Sequence, residues 1–176
     1  MPDTHANDKT HDQAHDQAKL WDLIGDIRFA MLTTRHSNGH LHARPVTTQN
    51  SGDDKDARLW FFLSRSGESV KDFAFDANVN VAYSHPGKDC YVSVSGTASI
   101  VEDAAKKRAL WSSMNKAWFP AGVDDPDLAL LCVEITHAHY WDIHESKITQ
   151  VWKMTMAAAT GRKPANLGEE GEVRMR

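Results

Sequence analysis

Residues 65–71 read Arg-Ser-Gly-Glu-Ser-Val-Lys, and they gather the groups that hold an oxyanion. Arg65 and Lys71 bring positive charge, and Ser66 and Ser69 bring hydroxyl donors. Gly67 lets a backbone approach closely. An apolar strand precedes the segment and a helix pattern follows it. The start of a helix presents unpaired N–H groups and the positive end of the dipole, so a phosphate suits this junction. The common phosphate signatures are missing: there is no GxxxxGK[ST] and no GxGxxG in the chain.

Two further sets of residues extend the chemistry. On one strand lie His42, Arg44, Val46 and Thr47, where Arg44 can reach an anion and the Thr47 backbone can bond a ring. Ser64 joins the hydroxyls at the strand end. Trp118, Phe119, Trp141 and Trp152 offer flat apolar surface. A planar phosphorylated ligand would use all three kinds of group. Taken singly, each has a plainer reading: the tryptophans suit core or interface packing, and Lys71 suits a solvated helix lysine.

Other chemistries are poorly supported. There is no GxSxG elbow and no HExxH. His40/His42 and His137/His139 are i, i+2 pairs that share a strand face, but no cysteine or carboxylate stands at metal-ligand spacing, so no metal centre is expected. His11 and His15 sit i, i+4 within a tandem HDQA repeat, which reads as part of a solvated arm over residues 1–16. Asp124 and Asp125 lie beside Pro126 and read as a turn.

These groups need elements to position them. Leu20, Leu23, Ile24 and Ile27 predict an amphipathic helix over about 17–27. Residues 28–35 and 40–49 read as two strands joined at Ser37–Gly39, with Pro45 at an edge or bulge. Residues 58–64 form a third strand, and Val70, Phe73, Ala74 and Ala77 give the next helix its buried face. Residues 78–85 form a fourth strand. In the fifth, residues 90–101, Val92, Val94, Gly96, Ala98 and Ile100 alternate with Tyr91, Ser93, Ser95, Thr97 and Ser99. That hydroxyl row suits either a flat ligand or solvent. A helix from Glu102 to about Lys116 follows, supported by Glu102–Lys106 and Asp103–Lys107 pairs. Residues 128–144 and 148–154 form a last hairpin, and the tail from Ala157 reads as irregular. Hairpins dominate, which predicts a mainly β (α+β) chain: an antiparallel split barrel of six to seven strands with peripheral helices. The barrel domain spans 17–156 and the tail 157–176.

Composition narrows the classes. A chain of 176 residues suits one domain. A net charge of −4 argues against a general nucleic-acid partner. Cys90 and Cys132 support neither a disulfide framework nor a zinc site, which favours a reduced, cytoplasmic setting. No apolar run approaches the ~20 residues of a membrane span, and no signal pattern opens the chain.

The ordered set HARPV, LWFFLS, S-x-K, N-x-x-V-A-Y and YVSVSGTA resembles the pyridoxamine 5′-phosphate oxidase-like superfamily of FMN-binding split barrels. The stretch LWSSMNKAWFPAGVDDPDLALLCVEITHAHYWD and the tail ATGRKPANLGEEGEVRMR are similar to its bacterial general stress protein branch. The resemblance covers about residues 21–176. It implies that Arg44, Ser69 and Lys71 grip a flavin phosphate, with Ser64 and Ser66 nearby. It also implies that His42, Val46 and Thr47 line the flavin, and that Trp118, Phe119 and Trp141 come from the second subunit of a homodimer. Tyr91 stands where the oxidases often have glutamine, and Gln49 where they have lysine. The Arg-x-His element of true oxidases is replaced, because Asp142 lies two residues before His144.

The resemblance therefore implies an FMN-binding general stress protein (FAD being the alternative flavin) without efficient pyridoxamine phosphate oxidation. As an enzyme it would be a flavin-dependent oxidoreductase using a nicotinamide or small donor, with no catalytic side chain evident. The alternatives are a non-enzymatic flavin carrier or stress sensor, a haem-binding split barrel with His42, His137 or His139 as axial ligand, and an interaction module without a cofactor.

Overall fold

The computed structural model describes residues 4–51, 56–143 and 169–175. Seven strands form one antiparallel sheet: β1 Phe29–Arg35, β2 Leu41–Thr47, β3 Arg58–Ser64, β4 Asn78–His85, β5 Cys90–Val101, β6 Leu128–Asp142 and β7 Glu169–Arg174. The order is β2-β1-β4-β5-β6-β3, with β7 added to β6. β2 and β3 are therefore the two ends of the path, and a single Thr48–Phe61 bridge joins them. The barrel is split between them, in agreement with the predicted class. Pro45 lies on end strand β2, where its missing N–H costs no ladder bond.

The core fills the concave side. Leu32, Leu59, Phe61, Val81, Val94, Leu131 and Tyr140 are wholly or almost wholly buried there. Full burial of each such side chain is worth roughly 1.5–3 kcal/mol. The alternation expected in β5 is observed: Val92, Val94, Gly96 and Ala98 are buried, and Tyr91, Ser95, Thr97 and Ser99 are exposed. Opposite Ser95 and Gly96 the partner strand β6 bulges by one residue, Thr136, and a Cβ at Gly96 would overlap the Glu134 carbonyl.

Helix α1, Thr4–Ile27, closes one end of the barrel with Leu20, Trp21, Leu23, Ile24 and Ile27, the face read from the sequence. It begins at Thr4 rather than near residue 17, because polar residues of the HDQA repeat find partners. His15 contacts Glu169 at 3.2 Å, and the Tyr140 hydroxyl donates to Asp16 at 2.7 Å. Lys19 pairs with buried Asp142. No helix among the described residues is long and apolar enough to cross a membrane.

Other boundaries differ from expectation. The helix after β5, α3, covers only Ala104–Leu110, and a 3-10 turn, Ser113–Ala117, replaces its second half. Trp111 is extended at the break and its ring meets Phe62, so packing overrides helix propensity. The expected i, i+4 pairs are not made: Asp103 caps the Lys106 N–H, Glu102 pairs with Arg65, and Lys107 Nζ donates to the Leu128 carbonyl. The tail is not irregular throughout, since β7 pairs with β6 and buries Val173. The strand expected over 148–154, with Trp152, lies outside the described residues.

Candidate functional site

The open side of the barrel is built from β2, the β3–α2 junction and helix α2, Glu68–Phe75. As an end strand, β2 keeps one backbone edge free of ladder partners, and it carries His42, Arg44, Val46 and Thr47. His42, Arg44 and Val46 stand opposite Thr34, Leu32 and Ala30 of β1, so they share the concave face. Val46 is buried in the core, Arg44 and Thr47 are half-buried, and His42 is exposed.

Arg44 reaches α2. Its Nη2 donates to Thr34 Oγ1 and to Asp72 Oδ2, each at 3.0 Å. Thr34 Oγ1 also donates to Asp72 Oδ2 at 2.7 Å, and His36 Nδ1 lies 2.7 Å from Asp72 Oδ1. His36 Nε2 is in turn 2.9 Å from His42 Nδ1. A buried carboxylate thus anchors a guanidinium, a hydroxyl and a pair of imidazoles.

The β3–α2 junction divides its predicted groups. Ser64 Oγ donates to Asp127 Oδ2 at 2.6 Å, and the Ser66 N–H donates to Asp127 Oδ1 at 2.9 Å. These bonds, the Ser64 hydroxyl first, hold the Asp127 carboxyl below the usual carboxylate range. Ser64 and Ser66 therefore serve a loop carboxylate inside the chain. Gly67 caps α2 without any side-chain bond: the Val70 N–H donates to the Gly67 carbonyl at 3.2 Å, and the Glu68 and Ser69 amides have no partner among the described residues. Ser69 is buried and Lys71 is exposed, and neither has a side-chain hydrogen-bond or ion-pair partner among the described residues.

The aromatic residues separate. Trp118 is 82% exposed, while its neighbour Phe119 is buried. Trp141, half-exposed on the convex face, stacks on His139 at 5.3 Å between ring centroids. A cavity of about 700 Å³ lies between α1 and the β2–β3 connection, lined by Trp21, Arg28, Gln49 and Asn50 among others. None of the residues singled out for cofactor binding lines it. Thr48, which also lines it, is bonded to the buried Tyr83 hydroxyl at 2.8 Å.

Comparison with known proteins matches residues 15–165 to the family described as pyridoxamine 5′-phosphate oxidase like. The chain belongs to this family. Within it the chain falls in the general stress branch. General stress protein 26 of Bacillus subtilis is 32% identical over 121 residues, covering 66% of this chain and 81% of the relative. Protein bli-3 of Neurospora crassa is 29% identical over 158 residues, covering 83% of this chain and 73% of the relative. The solved structure of a general stress FMN/FAD binding protein from Xanthomonas citri superposes with a TM-score of 0.66 at 33% identity, covering 76% of this chain and 92% of that one.

Sequence reading of this family member missed Thr34, His36, Asp72 and Asp127. Asp72 had a signal, since it follows Ser69 by one helical turn and so shares its buried face. Asp127 had none: it lies 63 residues from Ser64, and only the fold joins them.

Proposed function

We propose that this general stress family member binds FMN at the split of the barrel and works as a cytoplasmic homodimer. The observation that carries the reading is the donor set at the open edge. Arg44, Ser69, Lys71 and the Glu68 and Ser69 amides at the start of α2 together offer two cations, a hydroxyl and two N–H donors, the chemistry a phosphate dianion needs. Arg44 spends only Nη2 on Thr34 and Asp72, and a guanidinium has five N–H donors, so it can serve Asp72 and a phosphate together. The Thr47 N–H on the outer edge of β2 suits the polar rim of a flavin ring, and the Thr47 carbonyl accepts from Gln49 Nε2 at 2.9 Å. The 33% identity to a protein described as FMN/FAD binding supports a flavin over other phosphorylated rings.

Exposed Trp118 and half-exposed Trp141, with exposed Phe29, Met31 and Leu41, form apolar surface that a second copy would cover. Both cysteines are free and buried, in keeping with a reducing compartment.

A bound flavin would supply hydride exchange with a nicotinamide or small donor. The chain's residues would hold the phosphate, orient the ring and exclude water. Asp72 would act by positioning Arg44. Loss of the Arg-x-His element argues against efficient pyridoxamine phosphate oxidation.

The test is direct. Purified protein should be yellow, release FMN on denaturation and elute as a dimer. A Soret band would replace the reading with haem binding. Colourless protein that ignores added FMN would overturn it. Steady NAD(P)H turnover with an acceptor separates oxidoreductase from flavin carrier or sensor.

A further inference from the structure

Sequence spacing gave the His137/His139 pair no third ligand, and the fold supplies one. The two histidines project from the convex face of β6 two residues apart. Strand β7 pairs with β6 so that Glu172 stands directly opposite His139, while Arg174 stands opposite His137. Directly opposed side chains on neighbouring strands are within reach of one another. Each of His137, His139 and Glu172 offers one ligand atom, and the three atoms lie within 4.8 Å of one another. His137 Nδ1 and Glu172 Oε1 are already 3.5 Å apart.

We propose that His137, His139 and Glu172 form a binding site for a divalent transition-metal ion, with the remaining coordination positions open to water or a small ligand. The donor set is two imidazoles and one carboxylate on one face, which suits zinc, iron(II) and their neighbours better than calcium or magnesium. Ligand bonds of about 2.0–2.2 Å bring donor atoms to within about 3–3.5 Å of each other, so side-chain rotation alone closes the remaining gap. Rigid strands set the spacing, and the ring of Trp141 stacked on His139 restrains one imidazole. Side chains of His137 and Glu172 are 39% and 41% accessible, so an ion has an entry path and room for water.

One group competes. Arg174 Nε donates to Glu172 Oε1 at 3.0 Å, and its charge opposes a cation. Arg174 is 74% exposed and can swing into solvent, and Glu172 keeps a second oxygen. None of its three ligands lies at the split of the barrel of its own protomer.

The test uses tag-free, chelator-stripped full-length protein titrated with Zn²⁺ by calorimetry, with and without FMN. Saturable binding of one ion is expected, together with a Zn²⁺-dependent rise in melting temperature. Because losing even an outer-shell partner costs 10–100-fold in metal affinity, His139→Ala and Glu172→Gln should each weaken binding by at least about tenfold. Exposed His40→Ala should leave it unchanged. Glu172→Gln keeps the size of the side chain, and a wild-type melting temperature without metal shows that it folds. Absence of saturable binding overturns the proposal. So does wild-type affinity in both ligand variants, which would assign the ion to the N-terminal histidines or to His36 and His42.

Discussion

Arg44 on end strand β2 and Asp72 on α2 are joined at 3.0 Å, so the guanidinium that faces the split already has one carboxylate inside the chain. Asp72 is 3% exposed, with the Arg44 guanidinium 3.0 Å and His36 Nδ1 2.7 Å from its carboxylate. Removing one partner of a buried pair leaves a charge poorly compensated, whereas removing both can be nearly neutral. Arg44→Ala is expected to lower unfolding stability by about 2–4 kcal/mol, read from urea titration. The double variant Arg44→Ala/Asp72→Ala should lose less than the sum of the two single changes. Additive losses would show that the pair is not coupled.

Lys71 has no side-chain partner among the described residues, so its removal should spare the fold. A charge-assisted phosphate contact is worth about 1.5–3 kcal/mol. Lys71→Ala should therefore weaken FMN binding by roughly tenfold or more, while riboflavin, which lacks the phosphate, loses much less. Ser69→Ala should follow the same pattern more weakly. Ser64→Ala should not, because Ser64 is engaged by Asp127. Equal losses for FMN and riboflavin would rule out the phosphate assignment.

The strand pattern was legible because alternation marks which face is buried. Residues 78–85 and 90–101 could be bounded from their alternating side chains and the turns between them, and residues 58–64 from an apolar, aromatic run. Contacts distant in sequence were not legible. The i, i+4 charge pairs of α3 looked sound locally, yet Lys107 reaches a carbonyl 21 residues on and Glu102 reaches Arg65. Glu169–Arg174 reads as polar and Gly-containing. It becomes a strand because β3 pairs with β6 only as far as Glu134, and the same edge of β6 continues to Asp142 for β7 to pair with. Residues of the donor set were readable as types, while the carboxylates that hold them, Asp72 and Asp127, were visible only in three dimensions.

Alkaline pH should loosen α1 from the barrel. Lys19 Nζ is 2.5 Å from Asp142 Oδ2, and this bond raises the lysine pKa above its ordinary value. A raised folded pKa contributes stability that is complete below the unfolded value of 10.5 and is lost as pH rises through the folded one. Cys90 behaves alike: burial, then its bond to Asp142, pushes the thiol from 9.0 up to about 11. Stability should thus decline from about pH 9 and fall faster above 10.5. Lys19→Met should flatten the upper part of the profile, and Cys90→Ala the lower part. A wild-type profile in both variants would place the alkaline loss elsewhere.

Gly171 on β7 faces Tyr140 on β6, and they are directly paired. A Cβ at Gly171 would overlap the Tyr140 ring, which is fully buried and cannot retreat without breaking its hydroxyl bond to Asp16. Either β7 shifts off the sheet or the Tyr140–Asp16 link to α1 opens. Gly171→Ala should therefore cost about 1–3 kcal/mol, the usual range for overpacking, and should raise amide exchange in β7 before the rest of the sheet. Because Glu172 is the next residue, the same shift should weaken Zn²⁺ binding while FMN binding at Arg44 and Lys71 is unchanged. If exchange in β7 matched that of wild type, the ring would have been accommodated without moving the strand, and the metal affinity should then be intact as well.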